Sequence, residues 1–319
     1  MTEATETTET QERPLVTFTL FAYNQEQFIR EAVEGAFSQT YSPMEIILSD
    51  DCSADRTFEI IQEMSKYYVG PHAIVLNRHE RNLGIGGHVN RIMELAQGEL
   101  VVAAAGDDIS FNKRVEVLVD YYLKNNKPDS LFSDYEEINE FGPIAYESSY
   151  AERKVQSIVD FIISPSILGA SHAWRKDLFN CYGKLESYVT NEDRVIPFRS
   201  YSRNGVFYIK EKLIYYRVQY KKFDYVEMRN LFWNINTYKQ YLCDIEKNKI
   251  HNEYKCFIQK KLNEAELKYE LCTKKPAMIF LNFFKYCIGL SVIPVIRILI
   301  RRVLFFLRSR RSRYCGDKI

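Results

Sequence analysis

The amino-acid sequence predicts an α/β protein with a mixed, mostly parallel sheet flanked by helices, followed by a helical C-terminal extension. Two observations carry this prediction. From Leu15 onward, short apolar runs alternate with amphipathic stretches, which is the pattern of successive strand–helix units. One of those runs, Leu100 to Ala105 (LVVAAA), is so apolar that it reads as a central strand buried on both faces.

Taken in order, Leu15 to Ala22 reads as the first strand. Asn24 then caps a helix whose apolar positions Phe28, Ile29, Ala32, Val33, Ala36 and Phe37 recur at helical spacing. Glu45 to Ser49 is the second strand, and Asp55 caps a helix with Phe58, Ile61, Met64 and Tyr68 on one side. Ala73 to Asn77 is the third strand. A glycine-opened helix spans Gly84 to Gln97, Gly98 stops it, and the LVVAAA strand follows. A helix over Asn112 to Asn125 and a strand near Leu131 to Ser133 continue the rhythm. Between Tyr135 and Ala170 the pattern loosens into loops and edge strands. Val206 to Ile209 and Leu213 to Tyr216 read as a strand pair. Beyond about Tyr225 the chain turns charged and helical, with Leu231, Ile235, Tyr238, Leu242 and Ile245 in one stripe.

These patterns divide the 319 residues into a tail over 1–12, an α/β domain over 13–220, a helical extension over 221–275 and a basic tail over 276–319. The Thr/Glu-rich start lacks the apolar side chains that could offset the entropy of ordering. It also lacks the basic patch and apolar run of a signal peptide. With seven scattered cysteines and no CxxC spacing, the expectation is a cytoplasmic protein with reduced thiols. A net charge of +1 gives no general argument for nucleic acid as a partner.

Residues 277–313 combine apolar and aromatic bulk with Lys285, Arg297, Arg301, Arg302 and the run RSRRSR. The uncharged stretch Tyr286 to Ile296 is too short to span a bilayer, so the segment reads as a peripheral membrane contact. A helix packed on protein is the competing reading.

The chemistry-bearing residues are acidic. Asp107 and Asp108 stand just past the carboxyl end of the central strand, the edge at which open α/β sheets bind ligands. Adjacent hard carboxylate oxygens suit Mn²⁺ or Mg²⁺, with the remaining positions filled by water and phosphate, and Gly106 leaves room for a bulky ligand. An ordinary Asp loop capping the next helix is the alternative. Asp50 and Asp51 follow the second strand at the same edge, where a carboxylate accepts hydrogen bonds from a base or ribose or merely caps a turn. Glu192 and Asp193 lie in a polar loop. Paired carboxylates raise one another's pKa, which suits a general base, although acidic pairs are common on surfaces. His88 and His172 have no partner at metal-ligand spacing and read as structural or substrate-contacting. The glycines at 84, 86 and 87 lack the spacing of a dinucleotide fingerprint.

Together, VTFTLFAYNQEQFIREAVEGAFSQTY, EIILSDDCSADRT, NRHERNLGIGGHVNRIMELAQGELVVAAAGDDIS, ILGASHAWRKDLFNCYGKL and TNEDRVIPFR resemble, in this order, the inverting family 2 glycosyltransferases of the GT-A fold. These enzymes assemble bacterial surface polysaccharides, and the resemblance covers Leu15 to about Arg217. It implies a nucleotide-sugar donor, a UDP-sugar first, and a saccharide or polyprenyl-linked saccharide acceptor. It implies that Ala22, Asn24 and Glu26 line the nucleotide pocket, that Asp50 or Asp51 faces the base, and that Asp107 is the principal metal ligand with Asp108 beside it. By the same resemblance Asp193 is the general base. Arg199 then lies near the base and Arg217 takes the family's late Tyr-Arg position, and His172, Glu192, Arg199 and Arg217 either contact the acceptor or support the residues that do. Ala105 stands where the family often has the first acid of an Asp-x-Asp-Asp loop, and Gln219 stands where a histidine commonly falls. A non-catalytic saccharide- or nucleotide-binding protein of the same fold is the rival reading.

Overall fold

A computed structural model of the chain describes residues 12–139, 142–144, 158–163, 167–218, 226–248 and 251–273. The basic segment 277–313 lies outside them. The described residues fall into two compact units, one within 1–220 and one within 221–319.

In the first unit, apolar runs become strands and stripes become helices. β1 (Val16–Ala22), β2 (Met44–Asp50), β3 (Ala73–Arg78) and β4 (Leu100–Ala105) alternate with α1 (Ile29–Phe37), α2 (Thr57–Lys66) and α3 (Gly84–Leu95). β5 (Ile109–Ser110), α4 (Arg114–Lys124), β6 (Ser130–Asn139), β7 (Gly142–Pro143) and α5 (Ile158–Ile163) follow. A 3-10 turn at Gly169–Ser171 then leads into β8 (His172–Arg175), α6 (Leu178–Tyr182), α7 (Glu192–Tyr201) and β9 (Val206–Arg217). The strands make one sheet in the order β3-β2-β1-β4-β8-β6-β9-β5, with β7 pairing β6. β1 to β4 are parallel, β8 runs antiparallel to both β4 and β6, and β9 is parallel to β6.

Alternation along the strands sends Phe18, Leu20, Leu48, Val102 and Ala104 into one core with Ile29, Val33, Ile61, Leu118 and Tyr122, from α1, α2 and α4. Residues of opposite parity, such as Phe21 and Trp174, meet α3 on the other face: Phe21 packs edge-on to His88, and the Trp174 indole N–H donates to Met93 Sδ.

Three sequence expectations change. Asn24 does not cap α1. Its backbone is left-handed (φ 53°), and the helix starts only at Ile29, after a turn closed on the Gln25 carbonyl. Val206 to Arg217 is one continuous strand rather than a pair; exposed Lys210, Glu211 and Lys212 mark its register shift against β6. Glu192 and Asp193 open helix α7 instead of lying in a loop.

At the edge opposite the strand carboxyl ends, a cleft lined by Arg13, Glu99, Lys127, Arg175 and Asp177 is charged, but its groups are paired, Arg13 with Glu116 and Lys127 with Glu99 at 2.9 Å and Arg175 with Asp177 at 2.7 Å. There Gly98 lets the chain pass close to β1: a Cβ at this position would come within 2.3 Å of the Thr17 nitrogen and 2.7 Å of the Val16 carbonyl carbon. Gly98→Ala is expected to cost about 1–3 kcal/mol, the range for forcing extra atoms into a packed site. A thermal midpoint within 1 °C of the parent would refute that crowding.

In the second unit, α8 (Val226–Asn248) and α9 (Asn252–Thr273) pack on one another. Ile235, Tyr238 and Ile245 of the expected stripe are buried, as are Ile258, Leu262 and Ala265 of α9. Among the described residues no helix is long and apolar enough to cross a membrane.

Candidate active site

The chain runs from β1 outward to β2 and β3, then returns to the other side of β1 with β4. β1 and β4 thus flank a switch point of the sheet, and in open α/β sheets ligands bind in the crevice at the carboxyl edge of such a point.

On one side of that crevice the loops after β1 and β2 are stitched together. The Asn24 backbone N–H donates to Ser53 Oγ (2.8 Å), and the Asn24 side-chain oxygen accepts from the Ala54 N–H (2.9 Å). The Glu26 carboxylate accepts from the Arg56 N–H (3.0 Å), while the Glu26 N–H donates to Asp55 (3.1 Å). Asp55 also accepts from the Thr57 N–H and hydroxyl and so closes the first turn of α2. These bonds hold its carboxyl below the usual range against the opposing effect of partial burial. Ala22 is buried beneath this seam.

Asp50 and Asp51 are both buried and both engaged. Asp50 accepts from the Ser53 N–H (2.9 Å) and hydroxyl and faces the Arg78 guanidinium at 3.6 Å. Asp51 accepts from the Leu83 N–H (2.8 Å) and contacts His79 Nδ1 at 2.7 Å. The His79 ring meets His88 edge-on at 4.7 Å, and His88 Nε2 lies 2.6 Å from Ser49 Oγ. Burial drives the His88 pKa down to about 4, with Asp51 opposing, so this histidine is neutral. His79 carries no motif of its own; only its position four residues before Leu83, in a polar stretch after a strand, could have singled it out.

Gly106 lies close under the β1 loop: an added Cβ would come 2.4 Å from Gln25 Oε1, the movable end of a side chain, and 3.1 Å from Ile29 Cδ1. Beyond it, Asp107 is partly exposed and Asp108 is buried. Arg217, at the end of β9, braces this loop. Its N–H donates to Asp108 Oδ1 (2.8 Å), its Nε donates to the Asp107 carbonyl (2.9 Å), and its guanidinium pairs with Glu31 and lies 4.7 Å from the Phe28 ring centre. Burial, and then the charge of Asp107, raises the Asp108 pKa to about 8.

Among the described residues no three His, Cys, Asp or Glu side chains converge into a metal cage. The donor set nevertheless fits a hard cation that takes most of its ligands from phosphate and water: two consecutive carboxylates, of which Asp108 commits only Oδ1 to the protein.

On the far side of the crevice, α7 opens with Glu192 and Asp193 against the Gly169–Ser171 turn. A Cβ at Gly169 would fall 2.6 Å from Glu192 Oε1 and 3.5 Å from Asp193 Cβ, so the bare glycine is what the pair packs on. Burial and then the neighbouring Asp193 push Glu192 upward. Burial also raises Asp193, opposed by Arg194 and a hydrogen bond with Asn191. Asp193 Oδ1 has no hydrogen-bond partner. Arg199 is fully buried, which leaves it the supporting role and not direct contact with an acceptor. It donates to the Gly183 carbonyl (2.9 Å) and sits 5.5 Å from the Tyr182 ring centre.

His172 is fully buried on β8 beside Trp174, and neither ring nitrogen has a partner. Burial and then the charge of Arg114 depress its pKa to about 3. An unfolded histidine titrates near 6.5, so between there and about pH 3 the unfolded chain binds a proton that the native state refuses, and stability is lost as pH falls. At pH 5 this amounts to about 2 kcal/mol. His172→Phe is expected to reduce the drop in melting temperature between pH 7.5 and pH 5. An unchanged drop would show that His172 is not the acid-sensitive group.

The residue that sequence reasoning missed is Arg114, fully buried at the head of α4. A signal was present: 114, 118 and 122 share one helical stripe, which places a guanidinium on the buried face beside Leu118 and Tyr122.

The family model described as glycosyl transferase family 2 matches residues 19–183. An uncharacterized glycosyltransferase of Methanocaldococcus jannaschii is 27% identical over 251 residues, 76% of this chain and 78% of that protein. Among solved structures, TarS of S. aureus in complex with UDP-GlcNAc superposes with a TM-score of 0.61 at 16% identity, covering 82% of this chain and 76% of that one. The mannosyltransferase PcManGT of Pyrobaculum calidifontis, in complex with GDP-Man and Mn²⁺, gives 0.57 at 14% identity, covering 92% and 87%. At such identities the likeness to the solved structures is one of fold, the GT-A-like mixed sheet.

Proposed function

Because the chain belongs to glycosyl transferase family 2, we propose that it transfers a sugar from a nucleoside-diphosphate donor, a UDP-sugar first, to a saccharide or polyprenyl-linked saccharide acceptor with inversion, in the synthesis of a surface polysaccharide. The observation that carries this reading is the pair Asp107–Asp108 at the carboxyl end of β4, beside β1 at the switch point of the sheet. The UDP-GlcNAc of TarS and the GDP-Man of PcManGT, on the same fold, support a nucleotide-sugar donor.

In this proposal Ala22, Asn24, Glu26 and the Asp50–Asp51 loop form the nucleotide wall. Asn24 and Glu26 are tied to Ser53, Ala54 and Arg56 of the loop after β2, so the wall is built before the donor arrives. Asp107 and Asp108 would hold Mn²⁺ or Mg²⁺, which supplies positive charge against the departing nucleoside diphosphate. Asp193, its pKa raised and one oxygen unpaired, removes the proton from the acceptor hydroxyl. That oxygen then forms a bond to the anomeric carbon as the bond to the diphosphate breaks, in one displacement that inverts the centre. Glu192, pushed further toward neutrality, holds a proton beside the base and spares the site a second negative charge. His172, Arg199 and Arg217 support the walls from behind. We further propose that the chain works in the cytoplasm, at the membrane surface, through residues 277–313.

A thermal-shift screen of UDP-glucose, UDP-galactose, UDP-GlcNAc and GDP-mannose with Mn²⁺ tests the donor reading, since a ligand that binds only the native state raises its stability. At a hundred times its Kd a donor is expected to add about 2.7 kcal/mol, and EDTA is expected to abolish the gain. Stabilisation by none of the four, with or without metal, would overturn the donor reading.

A further inference from the structure

We propose that Arg114 is a positioning residue that locks the donor loop and the base-bearing side of the crevice into one rigid body. The inference rests on the reading of Asp107–Asp108 as donor loop and Asp193 as base.

The pairing of β4 with β8 ends at Val102 and Ala173. Past that point the two chains diverge: β4 runs on through Ala105 to Asp107, while β8 leads back into the Gly169–Ser171 turn. The Arg114 guanidinium fills the fork. Nη2 donates to the Ala103 carbonyl on one branch (2.7 Å) and to the Ala170 carbonyl on the other (2.7 Å). Nη1 donates to Ser110 Oγ at 2.9 Å, two residues past Asp108. Ala170 adjoins Gly169, the residue against which Glu192 and Asp193 pack. One planar cation thus ties three segments together, two flanking the metal loop and one beneath the base.

A buried guanidinium is an expensive way to fill space, because its desolvation costs several kcal/mol and an apolar side chain of similar volume often serves stability as well. The charge is balanced at a distance by Asp108 and not by a carboxylate in direct contact. What the guanidinium provides is a fixed planar set of donors that holds two carbonyls and a hydroxyl at set spacing. Lysine concentrates its donors at one point, so it could serve the two carbonyls that share Nη2 but not Ser110 Oγ as well. The chemistry needs such spacing, since misplacement by about 1 Å between reacting groups can cost roughly 100-fold.

The test compares the parent chain with Arg114→Met, Arg114→Lys and Ser110→Ala, using UDP with Mn²⁺ as the binding probe and release of UDP from the best donor of the screen as turnover. If the proposal holds, Arg114→Met binds UDP within about threefold of the parent while kcat falls roughly 100-fold. Arg114→Lys then recovers part of that loss, and Ser110→Ala shows a smaller fall in kcat at unchanged UDP affinity. A folded Arg114→Met with parental kcat overturns the inference, as does parallel loss of UDP affinity and turnover, which would mean that Arg114 supports the donor loop alone. If Arg114→Met fails to fold, the Ser110→Ala variant decides: parental kcat overturns the inference. A parent chain that neither binds UDP with Mn²⁺ nor releases UDP from any donor overturns the glycosyltransfer reading itself, and the inference falls with it.

Discussion

Asp193→Asn is expected to lower turnover by about two to four orders of magnitude, the usual contribution of a general base, while UDP binding in the presence of Mn²⁺ stays at the parental level. Asparagine keeps the shape of the side chain, and its oxygen still accepts where Asp193 accepts, so α7 and its packing on Gly169 are preserved. What disappears is the ability to take a proton. The pH dependence supplies a second signature. Burial raises Asp193 above the ordinary carboxylate range, so the base is lost as pH falls through a midpoint displaced upward. The parent should show that acidic limb in its rate, and the residual activity of the variant should lack it. Near-parental turnover with intact donor binding would assign the proton transfer elsewhere, and Glu192→Gln would then be the next substitution to measure.

The second large effect is expected from Asp107→Asn. Of the two neighbouring carboxylates, Asp107 is the more accessible, and Arg217 braces the loop through the Asp107 carbonyl and through Asp108. The substitution leaves these two anchors in place and removes a charge from the proposed metal position. Stabilisation by UDP that depends on Mn²⁺ should be lost. Turnover should fall by about two to three orders of magnitude, since a metal at a departing diphosphate contributes several kcal/mol and each 1.4 kcal/mol is tenfold. Calorimetry of Mn²⁺ and UDP binding to parent and variant would measure the first effect directly. A variant that binds both as the parent does would remove Asp107 from the metal site.

The half of the sheet built from β1 to β4 was legible because each strand and helix there announces itself by local periodicity and each pairs with a neighbour of the same kind. β8 was not. The four residues of His172–Arg175 are too few to show a period, and they pair with strands far away in sequence. The start of α7 was read as a loop for a related reason. Val195, Ile196, Pro197 and Phe198 are buried in succession, so this helix has no polar face to reveal its turn, and Pro197 argues against a helix on its own. In the site, the acidic residues could be found because carboxylates after strands are visible in the sequence. The bonds of Asn24 to Ser53 and of Glu26 to Arg56 could not, because they join loops some thirty residues apart. Arg114 was visible in principle, as a cation on an apolar stripe, but only the divergence of β4 from β8 gives it a purpose.

The late insertion of β8 also matters while the chain is being made. β4 is complete at residue 105, but the strand that covers its outer edge begins at residue 172. At a synthesis rate of about 5–20 residues per second, the apolar edge LVVAAA waits roughly 3 to 13 seconds for its partner. During that interval its unpaired N–H and C=O groups offer a template to any other extended chain. β8 thus also closes an open apolar edge of the nascent protein, and fragments ending between these two strands should be recovered as aggregates.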